Sequence, residues 1–234
     1  MARLPRLYVP GHAQLVHAVF SPSYRSHPDA FAPATLDLLL GWLRDQSAYR
    51  KVQIHGFSIS PAGIALLATP SEVRGLPQVV QSLGRNLAAS LRTGSVFAGR
   101  YRSTLPEPGQ WTLACLVWLE RLVQENHPEI DPESWRWSSC ATHTGALTPA
   151  LTWISHHRDY WGLGNTPFDR QARYRARLID GIGRLQNQQI ADALRGQWAL
   201  GDPAYVSSLA TTANRRPLPG RRGRPRKNLH QDEA

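Results

Sequence analysis

The sequence predicts an α+β chain: a ferredoxin-like antiparallel sheet in the order βαββαβ with helices on one face, a helical C-terminal extension, and a basic tail expected to be disordered. Three observations carry that prediction. Short apolar runs bounded by turn residues alternate with segments of helical periodicity between residues 15 and 105. Near residue 128 the composition becomes turn-rich, with aromatics and arginines interleaved. The closing stretch NRRPLPGRRGRPRKNLHQDEA is crowded with Pro, Gly and Arg and has too little apolar surface to offset the entropy of ordering. These shifts divide the chain into 1–128, 129–213 and 214–234.

LVHAVF (15–20) is the first strand. Residues 34–46 follow as a helix, because Leu36, Leu39, Leu40 and Leu43 fall on one stripe. The second strand, 52–59, loses its alternation at Gly56, the mark of a bulge. In SISPAGIALLATP (58–70), Pro61-Ala62-Gly63 makes a turn, and 64–68 continues as a short buried strand ended by Thr69-Pro70. A second helix, 76–92, aligns Leu76, Val79, Val80, Leu83 and Leu87 and leaves Arg85 and Arg92 on its other face. RYRSTL (100–105) is the fourth strand. Residues 110–125 form a third helix with the stripe Trp111, Ala114, Cys115, Trp118, Leu119 and Leu122. Such an order packs as one sheet with a helical layer. Beyond residue 128, helices are expected at 168–182 and near 186–195 and 203–213. No internal repeat is found.

With 234 residues the chain can bury a real core. Its formal charge is +10, from 27 basic and 17 acidic residues, and only Lys51 and Lys227 are lysines. The arginine fork suits phosphates and guanine edges, which favours an anionic partner; GC-rich codon usage would give the same bias. Cys115 and Cys140 are too few for a disulfide framework or a cysteine zinc site and fit a reducing compartment. No apolar run reaches the roughly 18 residues of a membrane span, and the amino terminus lacks a signal peptide's apolar stretch. A cytoplasmic protein without a membrane partner is expected.

Several segments stand in one order along nearly the whole chain: MARLPRL at the start, VFAGRYRS (96–103), LACLVWLE (113–120), SWRWSSC (134–140), QARYRARL (171–178), QWALGDPAY (197–205) and RRGRPRK (221–227). Together they resemble the REP-associated tyrosine transposase family of HUH single-strand DNA transposases. That family's versions include W-x-G-R-Y-R-S, L-A-C-x-x-Y-I-E and Y-R-W-S-S-Y. The resemblance implies a bacterial cytoplasmic protein, nucleoid association included, with a DNA hairpin as first-choice partner. It also implies a strand of the form P-N-H-V-H-L-L-V-T-P. Two histidines two apart on a strand share a face and can hold one divalent metal, Mg or Mn, that polarises the scissile phosphate. A helix tyrosine then attacks that phosphate.

In this sequence residues 54–70 match that strand without a gap, yet Gly63 and Ala65 stand at the histidine positions and Ala62 at the asparagine. Trp118 stands at the tyrosine. Glycine and alanine cannot ligate a metal, and indole offers no nucleophilic oxygen. No catalytic residue and no cofactor are therefore expected. As substitutes, adjacent His156 and His157 diverge and make a poor metal pair, although His157 and Tyr160 can share a helix face. His55 reads as a hydrogen-bonded core histidine or a lone surviving ligand.

Binding features survive better. Arg100 and Arg102 alternate with Tyr101, so both guanidinium groups can face one side and meet phosphates, or form a solvated basic face. Tyr101 itself packs or stacks. Arg136, between Trp135 and Trp137, sits where aromatics stack bases or fill a core. Arg221, Arg222, Arg224, Arg226 and Lys227 form an R-G-R-P tail similar to an AT-hook, or a polybasic segment held by counterion release alone. The expected function is a catalytically inactive, transposase-like nucleic-acid-binding protein that recognises hairpin or single-stranded DNA. The alternatives are an RNA-hairpin binder, an active transposase using other residues, and a partner-binding protein whose charge is incidental.

Overall fold

A computed structural model describes residues 5–219. Five strands, β1 (Gln14–Ala18), β2 (Val52–Ser60), β3 (Gly63–Pro70), β4 (Arg102–Pro106) and β5 (Ala199–Leu200), form one sheet in the order β2-β3-β1-β4-β5. The helices are α1 (Pro22–Arg25), α2 (Pro33–Tyr49), α3 (Gly75–Leu91), α4 (Gln110–Glu120), α5 (Cys140–Thr144), α6 (Arg158–Trp161), α7 (Pro167–Asp180), α8 (Arg184–Gly196) and α9 (Pro203–Ser208). The mixed α+β class expected from the sequence is present. The four longer strands pair antiparallel, whereas β5 joins β4 in parallel. The expected bulge falls on β2, where the register slips between Ile54 and Gly56.

The sheet is covered on both faces, not one. Alternation along β1 and β3 sends Val16, Ala18, Ile64, Leu66 and Ala68 into a core with Leu36, Leu39 and Leu43 of α2 and Leu76, Val79 and Leu83 of α3. Leu15, Ala65 and Leu67 point the other way, into a second core with α4, Tyr174 and Leu178 of α7, and Ile190 and Leu194 of α8. The segment read as an extension, 129–213, supplies much of that second layer. A strand buried on both faces reads as a continuous apolar run rather than an alternating one. GIALLATP is such a run, so its blandness has a structural cause as well as a chemical one.

Three further boundaries differ from expectation. The third helix stops at Glu120 and passes into a 3-10 turn, Leu122–Glu125. The outer edge of β2 is closed by irregular chain: the Ile59 amide donates to Trp137 (2.9 Å), the Ser139 amide to Phe57 (2.9 Å) and the Ser155 amide to Ile54 (2.9 Å). This cover removes the open ladder that an edge strand would present. Residues 214–217 are anchored rather than free, because Asn214 Oδ1 accepts from the Tyr8 amide (2.9 Å) and the Pro217 carbonyl accepts from the Ala199 amide (3.0 Å). Arg221, Arg222, Arg224, Arg226 and Lys227 lie outside the described residues.

Candidate functional site

Strand register assembles the region around the three altered positions. Ala65 on β3 pairs with His17 on β1, and His17 pairs in turn with Arg102 on β4. His17 shares its face of the sheet with Ala65, beneath α4, and its ring meets the Trp118 indole edge-on with centroids 5.5 Å apart. Burial, with Arg102 nearby adding to it, pulls the His17 pKa down to about 4 against a smaller opposing pull from the Ala62 backbone. His17 is therefore neutral at pH 7, and its Nε2 has no hydrogen-bond partner among the described residues.

Gly63 has a φ of 145°, and a Cβ there would strike the Ala18 carbonyl and approach His17 Nε2 to 3.0 Å. Ala65 is fully buried and Trp118 is 9% exposed. One neutral imidazole, the Ala65 methyl group, Gly63 and the Trp118 indole make up the centre, with the buried hydroxyl of Ser58, paired across from Ala65 on β2, beside them. That donor set does not fit a divalent metal, which needs several oxygen or nitrogen ligands. Among the described residues, no three His, Cys, Asp or Glu side chains are grouped to hold one.

The basic residues singled out in the sequence are not gathered at this centre. Arg102 belongs to β4 opposite His17, whereas Arg100 precedes the strand and lines a groove beside α3 with Arg6 and Arg85. The two guanidinium groups thus serve different surroundings instead of one side. Tyr101 is 4% exposed and packs against the first core, at the floor of that groove. The Arg6 guanidinium lies 3.6 Å from its ring centroid, and burial raises the phenol pKa to about 12. Arg136 pairs with Asp37 of α2 at 2.9 Å, while Trp137 Nε1 donates to the same carboxylate and Trp135 Nε1 to the Ile59 carbonyl. The Trp-Arg-Trp segment is a clamp between α2 and the end of β2.

His55 is a satisfied core histidine: Nδ1 bonds the Ser155 carbonyl (2.6 Å) and Nε2 the Thr69 hydroxyl (2.8 Å). His157 caps α6 by accepting from the Asp159 amide. His156 stacks on Tyr160 with centroids 4.6 Å apart. Burial holds the pKa of both His55 and His156 near 4.

Sequence reasoning missed a buried polar network. Glu120, with no exposure, ends α4; its Oε1 accepts from Ser139 Oγ (2.5 Å) and His143 Nδ1 (2.6 Å), and its Oε2 from the Tyr174 hydroxyl (2.6 Å). Tyr160 donates to the His143 carbonyl at 2.7 Å. The available signal was Glu120 itself, a carboxylate closing the apolar run LACLVWL. Completely enclosed, the network can reach no substrate; it ties α4 to α5 and α7. The two cysteines are equally enclosed, and burial raises both thiols far above neutrality.

No family model and no curated protein matches the chain. A solved structure described as a REP-associated tyrosine transposase bound to a REP hairpin superposes with a TM-score of 0.52 at 9% identity. It covers 68% of this chain and 93% of that one. At that identity the likeness is one of fold.

Proposed function

We propose that this chain is a nucleic-acid-binding protein of transposase-like architecture, built on a ferredoxin-like layer, that does not cleave strands. Support for the layer comes from the order β2-β3-β1-β4, which two interleaved split βαβ units generate. Support for the partner comes from the structural neighbour, described as bound to a hairpin, together with the net charge of +10. The observation that carries the absence of chemistry is the centre beneath α4. There Gly63 and Ala65 supply no ligand, Trp118 supplies no nucleophile, and a neutral His17 is joined by the enclosed Ser58 hydroxyl and not by a tyrosine. A covalent phosphotyrosine step needs a hydroxyl within reach of the phosphate. The buried phenols of Tyr160 and Tyr174 are instead committed to His143 and Glu120.

The test is a labelled DNA hairpin incubated with the protein and magnesium or manganese. Binding is read by anisotropy across a salt series, and adducts by denaturing gel. Salt-dependent binding without cleavage or adduct is the expected result. A metal-dependent adduct overturns the inactive reading, and mapping it identifies the nucleophile. Failure to bind any hairpin overturns the nucleic-acid reading, and tighter binding to the matching RNA hairpin reassigns the ligand.

A further inference from the structure

A groove of about 650 Å³ opens between α3 and the loop that precedes β4. It lies on the α2 and α3 side of the sheet, away from the centre beneath α4, since Val80, Val96 and Tyr101 of its lining belong to the first core. Its walls are apolar: Val80 and Ala88 from the helix, Phe97 and Tyr101 from the other side. Phe97 can press against α3 because residue 84 is glycine; a Cβ there would stand 3.0 Å from the ring. The aromatic wall is therefore fixed in place by a helix position with no side chain.

Three arginines, Arg6, Arg85 and Arg100, line the same groove, and among the described residues no acidic side chain does. Some arginines elsewhere are neutralised by carboxylates, Arg136 by Asp37 and Arg175 by Glu133 among them, and the groove offers these three none. Arg6 is partly buried over the Tyr101 ring, with its Nε unpartnered among the described residues; burial lowers its pKa against an opposing pull from Tyr101, and Arg100 nearby adds a smaller lowering. Two exposed guanidinium groups beside the partly buried Arg6 make a cationic rim that an anion would neutralise. A cationic rim over an aromatic, apolar interior matches a ligand with a phosphate at one end and a flat ring at the other. The volume falls within the range of roughly 300–1,000 Å³ typical of single-ligand pockets and is far too small for a duplex.

We propose that this groove takes one unpaired nucleotide of a bound strand, with its base against Phe97 and Val80 and its phosphate on Arg6, Arg85 and Arg100. The proposal rests on the nucleic-acid reading above and adds where an unpaired residue is held. Selectivity for unpaired ends follows, because only a nucleotide released from its stack can enter.

The experiment compares a blunt DNA duplex with the same duplex carrying a short single-stranded overhang, using the full chain and anisotropy. The overhang is expected to tighten binding by on the order of tenfold, the scale of one stacked base. Arg85 and Arg100 are exposed, so R85A/R100A should leave Tm nearly unaltered and bring the overhang-to-blunt ratio towards one. Ala88→Trp, which fills the groove without changing charge, should do the same. Equal affinity of the wild type for both probes overturns the groove assignment while leaving the nucleic-acid reading intact. No binding to either probe overturns both. A free deoxynucleoside monophosphate that binds, without any overhang preference, reassigns the groove to a small molecule and overturns the strand proposal.

Discussion

Gly63 occupies a backbone conformation that side chains rarely adopt, and the space a Cβ would need is held by the Ala18 carbonyl. Gly63→Ala should therefore cost about 1–3 kcal/mol, and Gly63→His more, since the carbonyl cannot move without breaking the β1–β3 pairing. The restoring variant G63H/A65H/W118Y is expected to lose stability in a thermal melt and to bind no divalent metal by calorimetry. A stable triple variant that takes up manganese would show that the strand retains room for its two imidazoles. Much of this was legible: the residue types at 63, 65 and 118 exclude ligands and nucleophile wherever the chain places them. Two things were not. A positive φ cannot be read from a glycine in a turn, and His17, distant in sequence, joins the centre only through strand register.

Among the elements, α4 has the unusual task of carrying a carboxylate into a dry core. Three hydrogen bonds compensate Glu120, and removing it would leave His143 Nδ1 and the Tyr174 hydroxyl without their acceptor and Ser139 with only its longer bond to the Phe57 carbonyl (3.3 Å). Glu120→Ala is expected to cost about 3–5 kcal/mol, the scale for breaking a buried charged cluster. For a chain of this size that corresponds to a fall in Tm of roughly 10 °C. Glu120→Gln, which keeps one acceptor oxygen, should lose less. Hydrogen exchange should show α5 and α7 opening first in Glu120→Ala; equal melting of both variants with wild type would make the network dispensable. The amphipathic helices α2, α3, α7 and α8 were readable because one apolar stripe each faces a core. α4 was read as striped but is buried from Thr112 to Glu120, so its stripe under-reports its contacts. Strand β5 escaped notice because two residues, Ala199 and Leu200, carry no period at all.

At the scale of the whole molecule, the layer formed by 129–213 closes the second face of the sheet, and the segment at Asn214 is tied to the stretch at Arg6–Tyr8 by bonds to the Tyr8 amide and the Arg6 carbonyl. Sequence composition could mark the Pro/Gly/Arg-rich end but not this anchorage, which depends on single hydrogen bonds across the fold. The anchorage separates two truncations. Deleting 214–234 removes the Asn214 and Pro217 bonds as well as the basic run, so Tm should fall together with affinity. Deleting 220–234 spares those bonds while removing Arg221, Arg222, Arg224, Arg226 and Lys227. If those five cations contact phosphates, the slope of log affinity against log salt should become shallower by about 4.5, close to 0.9 per lost contact, with Tm unchanged. R222A/R224A separates a groove-inserted segment from a diffuse polycation: it should abolish any preference for A·T-rich duplex in the first case, and in the second only weaken all duplexes alike. An unaltered salt slope after deletion of 220–234 would show that the tail does not touch nucleic acid and would leave binding to the folded part of the chain.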